Sequence, residues 1–159
     1  MVDTLFQIVR FLNKNRVDYC LIGGLAVMLY GGRANTIDID LYVLVNDLEI
    51  IRSLFEKKGW EVNPAGEYQL KAKVKNVPVD ILLADHYIGA DVVARAQKMK
   101  LGKDHVSVAT PEDIIILKTL ADRSVDRRDI EELHELFGKK LDEGYISKKL
   151  KQLKKLLES

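Results

Sequence analysis

The chain predicts an α/β (α+β) architecture: a small mixed β-sheet flanked by helices, with further helices at the C-terminal end packed on it. Three observations carry this. Short apolar runs with period-two alternation, such as Ile37 to Val45, interleave with segments of helical period, such as Leu5, Ile8, Val9 and Leu12. Glycine- and asparagine-bearing turns separate these runs. Beyond about residue 109 the strand signals stop and helical segments follow. With 159 residues, 47% of them hydrophobic, there is material for one well-packed core and too little for two ordinary ones. A single domain over 1–159 is therefore expected, with a core over about 1–109 and a helical section over about 110–159.

The elements follow in order. Asp3 or Thr4 can cap a first helix, which Asn13 to Asn15 break. Val17 to Ile22 is a nearly continuous apolar run that suits a buried strand. Gly23-Gly24 follows at once, then a short helix over Leu25 to Tyr30. In the next strand, Ile37, Ile39, Leu41, Val43 and Val45 share one face, with Asp38, Asp40, Tyr42 and Leu44 on the other. Leu48 to Lys58 reads as an amphipathic helix stopped by Gly59. Glu67 to Lys75 and Val77 to Leu83 read as antiparallel strands joined near Asn76. A helix over Asp91 to Lys98 precedes a hairpin around Gly102 within Lys100 to Ala109. Thr110-Pro111-Glu112-Asp113 is a helix start with a capping hydroxyl, a first-turn proline and two acids. That helix is expected to reach about Arg123, the next to run from Asp126 to Gly138, and a lysine-rich one from Glu143 to Leu157.

Composition excludes several function classes. Lys and Arg total 25 against 24 Asp and Glu, a net charge of +1, which rules out a polybasic protein but leaves room for a local basic patch. The one cysteine, Cys20, permits no intramolecular disulfide and no multi-cysteine zinc site, and its apolar surroundings predict a buried, inert thiol. His86, His105 and His134 match no metal-ligand spacing. No apolar run approaches the roughly 20 residues of a bilayer span, and Met1 to Thr4 lacks the basic start of a secretory leader, so a cytoplasmic location is expected.

The chemistry concentrates in three places. Gly23-Gly24, between a strand and a helix, lets backbone approach a phosphate closely, with free N–H groups at the helix start. Asp38 and Asp40, at i and i+2 on a strand, project from one face, where their mutual repulsion calls for a cation. Asp80 sits in an otherwise apolar strand and would face the same side if the two strands are neighbours. Three carboxylates with little local base suit hard divalent ions such as magnesium, and two of them can be accommodated. A lone Gly-Gly or Asp-x-Asp is usually structural; the joint pattern is far more specific.

Ile22-Gly23-Gly24, Asp38-Ile39-Asp40 and Val79-Asp80-Ile81 resemble the three motifs of the DNA polymerase β-like nucleotidyltransferase superfamily. Ala109 to Lys118, with Arg123 and Asp126 to Ile130, resembles its small bacterial and archaeal members, including relatives of AbiEii-type toxins. The likeness spans roughly residues 17 to 137. It implies an enzyme that moves a nucleoside monophosphate from a nucleoside triphosphate to a hydroxyl acceptor (RNA, protein or a small molecule), releasing pyrophosphate. Gly23 and Gly24 would hold the phosphate tail, Asp38 and Asp40 both of two Mg²⁺ ions, and Asp80 the ion that activates the acceptor. Many members carry Ser where Gly24 stands, so here backbone N–H groups would act without that hydroxyl. Two alternatives are a non-catalytic nucleotide- or partner-binding module and the toxin of a toxin–antitoxin pair. A homodimer or a helical, antitoxin-like partner is the expected assembly.

Secondary candidates surround this core. Arg33, in the loop before Asp38, can reach a triphosphate or remain solvated. Lys118, on an apolar helix, must snorkel out or meet a phosphate, and the resemblance favours the phosphate. Asp122, Asp126 and Asp129 are expected to form surface ion pairs with Arg123, Arg127 and Arg128. Lys71, Lys73 and Lys75 line one strand face, an ordinary solvated face or a track for an acidic acceptor such as RNA.

Overall fold

The fold is described from a computed structural model covering residues 1–85 and 87–158; His86 and Ser159 lie outside the described residues. Helix α1 (Val2–Lys14) buries Leu5, Ile8, Val9 and Leu12, the stripe that its spacing predicts. Strand β1 (Asp18–Ile22) follows, then α2 (Gly23–Leu29), β2 (Ile39–Leu44) and α3 (Leu48–Lys58). Strands β3 (Glu61–Pro64), β4 (Gln69–Val74) and β5 (Val77–Leu83) form a meander. Helix α4 (Gly89–Arg95) leads to the hairpin β6 (Gln97–Leu101) and β7 (Asp104–Val108). Helices α5 (Pro111–Ala121), α6 (Ser124–Phe137) and α7 (Glu143–Glu158) complete the chain.

The seven strands form one mixed sheet in the order β3-β4-β5-β2-β1-β7-β6. The central strand β2 runs antiparallel to β1 and parallel to β5. Leu21, Leu41, Val43 and Ile81 have no exposed surface, as expected for strands covered by neighbours on both sides. The β4–β5 connection is a two-residue turn in which Lys75 (φ 50°) and Asn76 (φ 66°) both take the left-handed conformation, matching strand twist.

Helix α5 is buried nearly all round, with Ile114, Ile115 and Ile116 at 1–2% exposure. It packs against α2, α6 and α7. Thr110 caps it by accepting the Asp113 N–H at 3.1 Å. The buried Asp113 carboxylate accepts the Tyr145 hydroxyl at 2.6 Å and Arg95 Nε at 3.2 Å, while the Arg95 guanidinium lies 3.9 Å from the Tyr145 ring centroid. This knot, with Asp113 buried at its centre and Arg95 exposed at its rim, ties α4, α5 and α7 together.

Three expectations need correction. Strand β3 was absent from the pattern, because an edge strand with only Val62 buried carries almost no alternation. The helix expected to reach Lys98 ends at Arg95; Gln97 and Lys98 belong to β6, where pairing with β7 outweighs a weak helical period. Helices α2 and α6 start two residues before their expected positions, at Gly23 and Ser124. No described helix is long and apolar enough to cross a membrane.

Candidate active site

Three adjacent strands bring the acidic residues into register. Asp40 on β2 pairs with Ile22 on β1 on one side and with Asp80 on β5 on the other. Paired residues share a sheet face, so the two carboxylates project together immediately beside Gly23. Asp38, just before β2, lines the same cleft, a cavity of about 340 Å³ whose other wall is α5 with Ile114, Leu117 and Lys118.

Gly23 has φ +75°, and a Cβ added there would collide with Asp40 Oδ2 and stand 3.0 Å from Asp40 Cγ. The chain must therefore carry glycine at this point for Asp40 to lie flat against the turn. No side chain caps the start of α2, which leaves its first N–H groups free for a ligand. At Gly24 an added Cβ would meet Thr36 Cβ at 3.0 Å. Thr36 is held in turn by its own hydroxyl, which accepts the Asp38 N–H at 3.2 Å. Gly23→Ala should thus cost about 1–3 kcal/mol of stability through backbone strain and displace Asp40. Thermal unfolding and a transfer assay check this; wild-type behaviour in both would contradict the assigned packing.

Burial pushes the Asp40 carboxyl up to about 7, reinforced by the charge of Asp80, a hydrogen bond with it, and Asp38, against a small opposing effect from Lys118. Gln69 Nε2 approaches Asp80 Oδ1 at 3.4 Å. Two half-buried carboxyls in mutual contact favour a proton or a cation between them. Among the described residues no three His, Cys, Asp or Glu side chains converge into a ready-made metal cage.

Lys118 is 7% exposed and does not snorkel out. Its ammonium lies 2.8 Å from Asp129 Oδ2 and 3.3 Å from Asp126 Oδ1. Arg123 grips Asp126 through Nε at 2.7 Å and Nη2 at 3.0 Å, and its backbone N–H adds a third bond at 3.1 Å. Burial works to raise the Asp126 carboxyl, but the Arg123 bonds and Lys118 outweigh it and hold it below the ordinary carboxylate range. The expectation of surface pairs is corrected here: Asp126 and Asp129 are 0% and 4% exposed. Only the Arg127–Asp122 pair is a surface one. The only hint in the sequence was Lys118 itself, a lysine on an apolar helix, which says that a partner is needed but not which residue supplies it.

Arg33 stands apart from the cleft lining; it is exposed, and its backbone N–H donates to Glu132 Oε2 at 2.8 Å. Arg123, which sequence reasoning placed only in an ion pair, lines the cleft with an exposed guanidinium. Cys20 is fully buried and its thiol is pushed up to about 12 by burial, so it is no nucleophile. A larger open groove of about 710 Å³ between α1 and α3, floored by Phe11 and Trp60, contains no carboxylate.

A strand, a glycine turn opening a helix, an Asp-x-Asp segment and a neighbouring parallel strand with a third Asp lie together as the resemblance to polymerase β-like nucleotidyltransferases implies. The family follows from the whole chain: the protein belongs to the family described as nucleotidyl transferase of unknown function (DUF2204), whose model matches residues 1–158. It is an enzyme of nucleotidyl transfer. Similar solved structures include the antibiotic-resistance factor ANT(2″)-Ia, at 14% identity and TM-score 0.72 over 98% of this chain and 92% of that one. The lincosamide antibiotic adenylyltransferase LnuA matches at 16% identity and TM-score 0.66, over 86% and 98%. A nucleotidyltransferase-like protein from Paracoccidioides brasiliensis matches at 22% identity and TM-score 0.59, over 84% and 77%. At these identities the likeness is one of fold. Among curated protein sequences none matches significantly.

Proposed function

We propose that the cleft transfers a nucleoside monophosphate from a nucleoside triphosphate to a hydroxyl acceptor, with pyrophosphate as the leaving group. The observation that carries this is the Asp40–Asp80 carboxyl pair, in register on adjacent strands and flat against the side-chain-free Gly23. An all-oxygen donor set that favours a cation between its carboxyls fits Mg²⁺, and Asp38, Asp40 and Asp80 would hold it. Bound there, magnesium would neutralise charge on the phosphates and acidify the acceptor hydroxyl.

The chain's own residues supply the rest. Gly23 and Gly24 bring backbone close to the phosphate tail, and the uncapped N–H groups of α2 donate to its oxygens. Arg123 and Lys118 line the α5–α6 side of the cleft, held there and charge-balanced by Asp126 and Asp129, with the Arg123 guanidinium exposed to a ligand. Tyr42, Leu82 and Leu117 present apolar surface for a base. Catalysis then consists of alignment and charge neutralisation.

The test is transfer of label from α-phosphate-labelled nucleoside triphosphates, with magnesium, to total RNA, lysate proteins and hydroxylated small molecules. Wild type should label one acceptor class and Asp38→Asn none. Equal labelling by the two would defeat the assignment.

A further inference from the structure

We infer that the face of β4 beside the cleft is an acceptor track for an extended single-stranded polynucleotide, with Lys71 and Lys73 holding its phosphate backbone. The inference rests on the transferase reading of the cleft and names the acceptor class.

Lys71 pairs directly with Asp80 across the β4–β5 ladder, so the two side chains share a sheet face. Lys73, two residues on, shares it as well. Across the sheet the order is therefore Ile22 at the end of β1, Asp40, Asp80, Lys71, each on the next strand, with Gly23 directly after Ile22. Strands are about 4.8 Å apart, which puts Lys71 roughly 10 Å from Asp40. The triphosphate end of this row is the glycine turn, so the lysines stand on the acceptor side.

Both lysines are exposed, and neither makes an ion pair among the described residues. Lys71 does not bridge to Asp80 although it stands opposite; Gln69 approaches that carboxylate instead. The one acid facing the lysines from β3 is Glu61, opposite Lys73, while Lys71 faces Asn63. Two free ammonium groups about 7 Å apart along a strand match successive phosphates of an extended chain. The face is an open strand surface rather than a concavity, which suits a polymer better than a small phosphorylated molecule. A polycationic acceptor would be repelled here.

Binding of fluorescein-labelled ten-residue oligoadenylate and oligodeoxyadenylate, followed by anisotropy with magnesium, tests this without requiring turnover. The Lys71→Glu/Lys73→Glu variant is compared with Lys151→Glu/Lys154→Glu, an equal charge change at exposed positions of α7. The track predicts at least a tenfold loss of affinity in the first variant and less than twofold in the second. It also predicts a salt slope for the wild type about 1.4 steeper than for the first variant, from two single-strand phosphate contacts. Preference between the two oligonucleotides tells RNA from DNA. No binding by the wild type, or equal losses in both variants, overturns the track. Binding of the four magnesium–nucleoside triphosphates, read by thermal shift, separates the two ideas: binding of any one without oligonucleotide binding sinks the track alone. Absence of binding by all four in folded protein sinks the transferase reading and, with it, the acceptor track.

Discussion

Asp40→Asn is expected to abolish transfer, by at least about 10³-fold, while making the metal-free protein more stable. Asp40 is crowded by Asp80 and Asp38 in a partly buried cleft, and its carboxyl is pushed up to about 7 from an ordinary 3.8. The folded state binds this proton more tightly than the unfolded chain does. Lowering the pH therefore stabilises the fold; the penalty of ionising Asp40 grows from about pH 4 to about pH 7 and is constant above that. A tenfold change in proton affinity corresponds to about 1.4 kcal/mol, and solvent reaching the half-buried Asp40 screens part of the effect, so the gain from the amide is on the order of 2 kcal/mol at pH 8. The amide also keeps a neutral donor for Asp80. Thermal unfolding in a chelator, at pH 5 and pH 8, reads the difference between variant and wild type. The variant's advantage should appear at pH 8, shrink at pH 5, and fall again when magnesium stabilises the wild type. A variant less stable than wild type at pH 8 would show that the carboxyl pair is not a source of strain.

Asp126→Ala should cost about 3 kcal/mol or more of unfolding free energy, seen as a fall in the urea midpoint with an unchanged slope. The carboxylate is fully buried and accepts three bonds from Arg123 and one from Lys118. Its loss leaves the Lys118 ammonium with Asp129 alone and the Arg123 N–H without its acceptor. Asp126→Asn keeps an acceptor oxygen and should fall between the two. By contrast, Asp122→Asn breaks a pair exposed on both sides, keeps a residue that tolerates the left-handed φ of 52° there, and should cost no more than about 0.5 kcal/mol. Equal effects of Asp126→Asn and Asp122→Asn would refute the buried network.

The contrast between these two aspartates shows what local pattern can and cannot convey. Leu5, Ile8, Val9 and Leu12 announced α1, and the Ile37-to-Val45 alternation announced β2, although the strand spans only Ile39–Leu44 and Ile37 is exposed, because half-buried elements write their burial as a period. The acidic pair was read from strand spacing, but β2 begins at Ile39, so Asp38 reaches the cleft from the segment before the strand rather than from a shared strand face. That Asp80 lies beside them depends on β5 entering next to β2 in parallel, which only the completed sheet reveals. Asp126 and Asp129 looked like surface residues because each sits among arginines. Their burial is decided by how α6 docks on α5, a long-range event that leaves no local mark. Strand β3 and the start of β6 were invisible because edge strands, with few buried positions, are specified by their partners.

The contact between Gly24 and Thr36 has an evolutionary reading. The two positions divide one volume: an added Cβ at 24 stands 3.0 Å from Thr36 Cβ, close enough that Thr36 must give by a few tenths of an ångström. A hydroxyl can therefore come from residue 24 or from residue 36, but not comfortably from both. A lineage exchanging one arrangement for the other has a preferred order of steps. Thr36→Ala first removes the outer part of the obstacle and makes a serine at 24 easier to admit, whereas Gly24→Ser first forces the loop before Asp38 outward. Divergent relatives should accordingly show the two positions covarying, a hydroxyl at one paired with a small side chain at the other.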